Sequence, residues 1–152
     1  MKLEDALRKL QQICSKQEKC PADAVLLLKK WGVDQRHHQE MLDKLISERF
    51  IDEQRYAASF VNDKIKFDHW GTIKIRYMLH QKGIARGIAD NAIREINQGE
   101  YRDMVGKELA RKRKTLKGSP REIWARLARY GSSRGYEMEV MHDFLGGETP
   151  GE

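Results

Sequence analysis

Lys107, Arg111 and Lys114 follow one another at i, i+4 and i+7, the spacing that lines three side chains along one face of an α-helix. Arg113 and Lys117 extend this charge, and Arg121, Arg126 and Arg129 follow on the next stretch. Long cations at helical spacing track phosphates or an acidic partner surface. The plain alternative is a solvated helix face that aids solubility. From Lys107 to Arg134 ten basic residues stand against two acidic ones, Glu108 and Glu122. From Glu137 to Glu152 five acidic residues occur with no Lys or Arg, although the whole chain carries +6. Such asymmetry favours a polyanion contact over a merely soluble face. A second basic group, Lys74, Arg76, Lys82 and Arg86, surrounds Trp70 with Lys64, Lys66 and His69. Trp70 has two readings: a ring that stacks on a base or enters a partner groove, or a half-buried aromatic between repeats.

Covalent chemistry finds little support. His37 and His38 are adjacent and point to different sides of a helix, and His69, His80 and His142 lack partners at ligand spacing. Cys14 and Cys20 match neither a redox nor a zinc motif and read as reduced, semi-buried thiols. A phosphate-binding Gly-x4-Gly-Lys loop and a nucleophile elbow are both missing from the sequence. The expectation is a binder and not an enzyme, with no cofactor or metal. No run of eighteen apolar residues and no apolar leader occur, so the cytoplasm is the expected compartment.

The elements that carry these residues recur. An apolar residue, Leu and Gly stand four apart in Ala24-Leu28-Gly32, Ile75-Leu79-Gly83 and Ile123-Leu127-Gly131, with glycines 51 and 48 residues apart. At nine, ten and thirteen residues beyond each glycine lie Met41, Leu42 and Leu45; Ala92, Ile93 and Ile96; Val140, Met141 and Phe144. Each block therefore reads as helix, glycine turn, helix. Helices are predicted from Leu3 to about Cys14, Pro21 to Gly32 and Asp34 to Arg49. The next run from Asp52, from Gly71 to Gly83 and from Arg86 to Asn97. The last three start near Glu100, at Pro120 (ending at Gly131) and near Arg134 (ending at Leu145). Lys112 falls on the apolar stripe of Tyr101, Val105 and Leu109, so it must snorkel or the helix must bend. The expected organisation is all-α, an elongated curved array of three tandem three-helix repeats, about nine helices, over 1–50, 51–98 and 99–146. Residues 147–152 read as a disordered tail.

The stretch Ile51-Asp52-Glu53-Gln54-Arg55-Tyr56-Ala57-Ala58-Ser59-Phe60, then Gly71 and Leu79-His80-Gln81-Lys82-Gly83-Ile84, resembles the RecX family of recombination regulators. Arg111-Lys112-Arg113 and Arg126-Leu127-Ala128-Arg129-Tyr130-Gly131 fit the same pattern. The resemblance covers about residues 3 to 145. Three departures stand out: Tyr56 where the family tends to have Phe, a loose match from Cys14 to Ala24, and Gly131-Ser132-Ser133 where an apolar residue often follows the glycine. The resemblance implies a curved array of three-helix units that binds the RecA recombinase on single-stranded DNA and lodges in the filament groove. It further implies a restraint on RecA's ATP hydrolysis, strand exchange and co-protease activity; the expected protein is a monomer whose basic faces also meet single- or double-stranded DNA. Asp52, Arg55, Gly83 and Phe60 match its motif and read physically as cap, ion pair, turn and core. The competing class is a free-standing helical nucleic-acid binder. Against it, a helix-turn-helix has a small residue four before its turn glycine, where Leu28, Leu79 and Leu127 stand here.

Overall fold

The computed structural model describes residues 1–146, so the tail expected over 147–152 lies outside the described residues. Those residues form nine α-helices and one 3-10 turn, without strands. The helices group in threes. The first group is α1 (Leu3–Lys16), α2 (Pro21–Lys30) and α3 (His38–Ser47), the last preceded by the 3-10 turn Gln35–His37. The second is α4 (Glu53–Lys66), α5 (Thr72–Gln81) and α6 (Arg86–Arg94). The third is α7 (Gln98–Arg113), α8 (Pro120–Arg134) and α9 (Met138–Leu145).

Local chemistry sets the boundaries. Pro21 and Pro120 occupy first-turn positions that need no N–H. Asp52, Asn97 and Ser119 each accept a backbone N–H from three residues on. Asp34 caps the short 3-10 turn through the Arg36 N–H, so α3 begins at His38, later than its acidic start signal suggests.

Two linked expectations need correction. Gly131 does not stop α8, which runs on to Arg134 and ends at Gly135 in the left-handed region, φ 91°. Accordingly α9 starts at Met138 and not near Arg134, because Arg134 still belongs to α8. The hydrogen bonds reveal the true register. Val33 N–H reaches Leu28 O, Ile84 N–H reaches Leu79 O, and Tyr136 N–H reaches Gly131 O, each five residues back. Gly135 is therefore the counterpart of Gly32 (φ 74°) and Gly83 (φ 79°), and Tyr136 the counterpart of Val33 and Ile84. All three apolar followers are buried. Within the repeat the glycine–apolar pair of the third copy is Gly135-Tyr136, four residues later, because α8 carries an extra turn. Gly131 serves another purpose: a Cβ there would overlap the Met141 sulfur of α9.

The described residues fall into two compact units, Met1–Phe60 with Leu79–Ala92, and Val61–Met78 with 93–146. The core of unit 1 joins Ala6, Leu10 and Cys14 of α1, Ala24 and Leu28 of α2, and Met41, Leu42 and Leu45 of α3, closed by Val33 and Ile51. His38 is buried in this unit, with Nε2 2.9 Å from Val33 O; the nitrogen must carry the proton for that bond to form. The core of unit 2 joins Tyr101, Val105 and Leu109 of α7, Leu127 and Ala128 of α8, Tyr136, and Val140, Met141 and Leu145 of α9. Asp52, Arg55 and Gly83 take the physical parts expected of them. Asp52 caps α4, Gly83 turns the chain, and Arg55 clasps Glu18 at 2.7 Å while donating to Arg49 O. Phe60, expected in the core, is only half-buried, its ring centroid 5.9 Å from that of Tyr56.

Candidate functional site

The twelve basic side chains expected to touch a partner fall into two kinds. Three make short contacts within the protein, although Arg111 and Arg113 remain exposed. Lys82 Nζ lies 2.7 Å from Asp23 Oδ1, inside unit 1. Burial pushes the Asp23 carboxyl up, but the Lys82 ammonium and the Cys20 N–H more than offset it, so its pKa is lowered. Arg113 donates to Phe144 O at 2.8 Å and Leu145 O at 2.5 Å, the otherwise unsatisfied carbonyls at the end of α9. Arg111 donates to Glu108 at 2.7 Å. Burial works against the charge on Glu108, yet the Arg111 hydrogen bond and the charges of Arg111, His69 and Arg134 hold it below the ordinary range.

Of the other nine, all but Lys74 are exposed. Lys107, Lys114, Lys117, Arg121, Arg126 and Arg129 are exposed along α7, α8 and their connection. Arg126 donates to Lys117 O at 3.2 Å, which ties that connection to α8. Arg86 lies 3.8 Å from Asp90 one turn on. Arg76 is exposed on α5, near Tyr77 and Ile73, two large apolar side chains that also face solvent. Lys74 is half-buried, its ammonium 4.4 Å from the centroid of the Trp70 ring. The predicted face of Lys107, Arg111 and Lys114 does lie opposite buried Tyr101, Val105 and Leu109. Lys112 snorkels: it is half-buried, with its ammonium 5.2 Å from the Tyr130 ring.

Sequence reasoning missed the cluster in the middle of unit 2. Glu108 is buried, and it sits seven residues after Tyr101, a register that puts it at the edge of the inward stripe. Arg134 donates to the carbonyls of Asp68 and His69, and its guanidinium lies 5.7 Å from the Tyr130 ring. Tyr136 Oη donates to His69 O at 2.7 Å, and burial pushes the Tyr136 pKa up to about 12. Nothing in the local sequence of Asp68-His69-Trp70 announces partners sixty-five residues away. Cys14 and Cys20 are buried free thiols whose pKa values burial raises.

Residues 52–93 match the family described as "RecX, second three-helix domain", a span that coincides with α4 to α6. A curated regulatory protein RecX from Pseudomonas fluorescens is 31% identical over 123 residues, covering 79% of this chain and 76% of that one. Its namesake from Pseudomonas putida is 32% identical over the same shares. A regulatory protein RecX from Clostridium tetani is 27% identical over 75% of this chain, and the chain spans about half the length of that relative, 53%. Among solved structures, a crystal structure of regulatory protein RecX superposes with a TM-score of 0.84 at 23% identity, over 93% of this chain and 71% of the other. RecX from Lactobacillus salivarius superposes with 0.73 at 19% identity, over 94% and 96%. Those two likenesses establish the fold of three-helix repeats. With relatives above 30% identity matched over three quarters of their length, the chain belongs to the RecX family of regulatory proteins.

Proposed function

We propose that this protein is a non-enzymatic regulator that binds the RecA recombinase filament on single-stranded DNA and restrains its ATP hydrolysis, strand exchange and co-protease activity. The observation that carries this reading is the kinship with proteins named regulatory protein RecX over about four fifths of the chain. The exposed cations of α7 and α8 support it, because a filament of nucleoprotein offers the phosphates and acidic surface that such a face attracts. In this reading the protein works as a monomer in the cytoplasm.

The test is RecA's single-strand-dependent ATP hydrolysis, measured with rising amounts of this protein and the RecA of the same organism. Inhibition well below one molecule per RecA is the expected result. No effect, together with salt-sensitive binding to bare DNA, would overturn it in favour of a free-standing nucleic-acid binder. Within this assay a variant carrying Lys107→Glu, Lys114→Glu and Lys117→Glu is expected to keep its helicity and lose inhibition. Arg111 is left in place, because an acid there would face buried Glu108 and confound binding with folding.

A further inference from the structure

We propose that Trp70 and Tyr130, both in unit 2, form a stacking site for the unpaired bases of a single-stranded nucleic acid. Each ring carries two cations. The ammoniums of Lys64 and Lys74 stand 4.7 and 4.4 Å from the Trp70 centroid. Lys112 Nζ and the Arg134 guanidinium carbon stand 5.2 and 5.7 Å from the Tyr130 centroid. The two stations are physically linked: Arg134 donates to the carbonyls of Asp68 and His69, the residues just before Trp70. Arg111 reaches the Tyr130 hydroxyl at 3.4 Å. The carboxylates beside these cations are Asp68, 3.2 Å from Lys64, and Glu108, paired with Arg111. Among these groups five cationic side chains meet two acids, and the excess is positive.

Single-strand binding combines this pair of features, aromatic rings for the bases and cations for the backbone that joins them. Both rings are half-buried, so packing holds part of each while the remainder reaches solvent. An ammonium over a ring is a weaker contact than a stacked base. A base that displaces it turns the lysine toward the adjoining phosphate, so arrival of the strand exchanges a weak contact for two stronger ones. Duplex bases are already stacked on each other and deny the rings access. The Trp70 corner is also held in place beforehand. His69 keeps a left-handed backbone, φ 55°, while Tyr136 and Arg134 grip its carbonyl and Trp70 N–H binds Lys64 O at 3.0 Å.

The test uses the protein alone, without RecA, and fluorescence anisotropy of a labelled oligo(dT). The comparison strands are an abasic oligonucleotide of the same length and a duplex. Oligo(dT) is expected to bind about 5- to 150-fold more tightly than the abasic strand for each base stacked. Trp70→Ala and Tyr130→Ala should each remove a similar factor for oligo(dT) and leave the abasic strand unchanged. Lys64→Gln with Lys74→Gln should make the slope of log K against log salt shallower by about 0.7 for each phosphate no longer neutralised. Equal affinity for oligo(dT) and the abasic strand, or tighter binding of the duplex, would overturn the proposal. Circular dichroism checks each variant; should Trp70→Ala lose helicity, the strand comparison with the unaltered protein decides by itself. Failure here leaves the ATP-hydrolysis result standing, and the reverse also holds.

Discussion

The two compact units anchor a helix N-terminus in opposite ways. In unit 1 the start of α2 meets the turn that follows α5; in unit 2 the start of α5 meets the turn that follows α8. Unit 1 uses side chains. Asp23 receives the Lys82 ammonium on one oxygen at 2.7 Å and the Cys20 N–H on the other at 3.2 Å. Unit 2 uses mainly backbone, with one side-chain hydroxyl added. Gly71 N–H donates to Arg134 O at 2.7 Å and Ile73 N–H to Gly135 O at 3.1 Å. Thr72 N–H donates to the Tyr101 hydroxyl, which itself donates to Glu137 at 2.5 Å. The orphan donors at the head of α5 therefore consume orphan acceptors at the tail of α8, and the two helix dipoles meet head to tail. A joint of side chains tolerates adjustment and responds to pH. A joint of backbone groups tolerates almost no added atom.

The largest expected effect tests that intolerance. A Cβ on Gly71 would overlap the Gly135 carbonyl and the Tyr136 nitrogen, backbone atoms that have no rotamer to retreat into. Gly71→Ala should cost about 3–5 kcal/mol, at or beyond the top of the overpacking range. Gly32→Ala is the comparison. Gly32 has φ 74° and open space around it, so alanine there meets only left-handed strain, about 1 kcal/mol. Urea denaturation of both variants reads the difference. Equal midpoints would mean that the unit 2 joint is no tighter than an ordinary turn.

Next in size are two substitutions at one structural position. Leu79 and Gly131 each supply the carbonyl that the residue after the turn glycine engages. Leu79 is fully buried in unit 1, so Leu79→Ala leaves a cavity and should cost about 2–5 kcal/mol. Gly131 is small because Met141, Tyr136 and Leu109 crowd it, so Gly131→Ala adds volume and should cost about 1–3 kcal/mol. The same denaturation series decides between them. A Leu79→Ala midpoint close to that of the unaltered protein would sink the register that equates the two sites.

The repeat was legible because helical periodicity and turn glycines are local signals. Ala24, Leu28, Ile75, Leu79 and Leu127 are all fully buried as their spacing requires. The third turn misled for a local reason too: Leu127 and Gly131 reproduce the pattern, while the distinction between a glycine that turns the chain and one that admits Met141 lies in a helix ten residues on. That shift also changes the argument against a helix-turn-helix. In the third repeat the residue four before the turn glycine is small after all, Gly131, whereas Leu28 and Leu79 hold that place in the others. The exposed residues of α9 include Glu139 and Asp143, a poor complement to a phosphate backbone. The basic surface was legible as charge but not as allocation. Lys82, Arg111 and Arg113 spend their charge on Asp23, Glu108 and the α9 carbonyls, partners distant in sequence or hidden by burial.

The smallest of these effects sharpens the contrast through pH. Asp23 has a pKa below its ordinary value, so its contribution is complete above the unfolded carboxylate pKa, about 4, and is lost as pH falls through the lower folded value. Lys82 is raised, first by its hydrogen bond to Asp23, so its contribution is complete at neutral pH and is lost as pH climbs through the folded value. The pair is half-exposed on the lysine side, which screens it, and Asp23→Asn should cost about 1–2 kcal/mol at pH 7. The sign follows from the protons bound. Between the folded and unfolded pKa of Asp23 the unfolded chain holds more protons, so acid favours unfolding and the variant loses that part of the acid limb. Plotted against pH, the gap between the unaltered protein and Asp23→Asn should be flat near neutrality and close toward zero as pH falls through the lowered folded pKa of Asp23. Gly71→Ala should show no such convergence, because its penalty is a clash between uncharged groups. A gap for Asp23→Asn that persists undiminished in acid would mean that the carboxylate acts in the unit 1 joint through shape and not through charge.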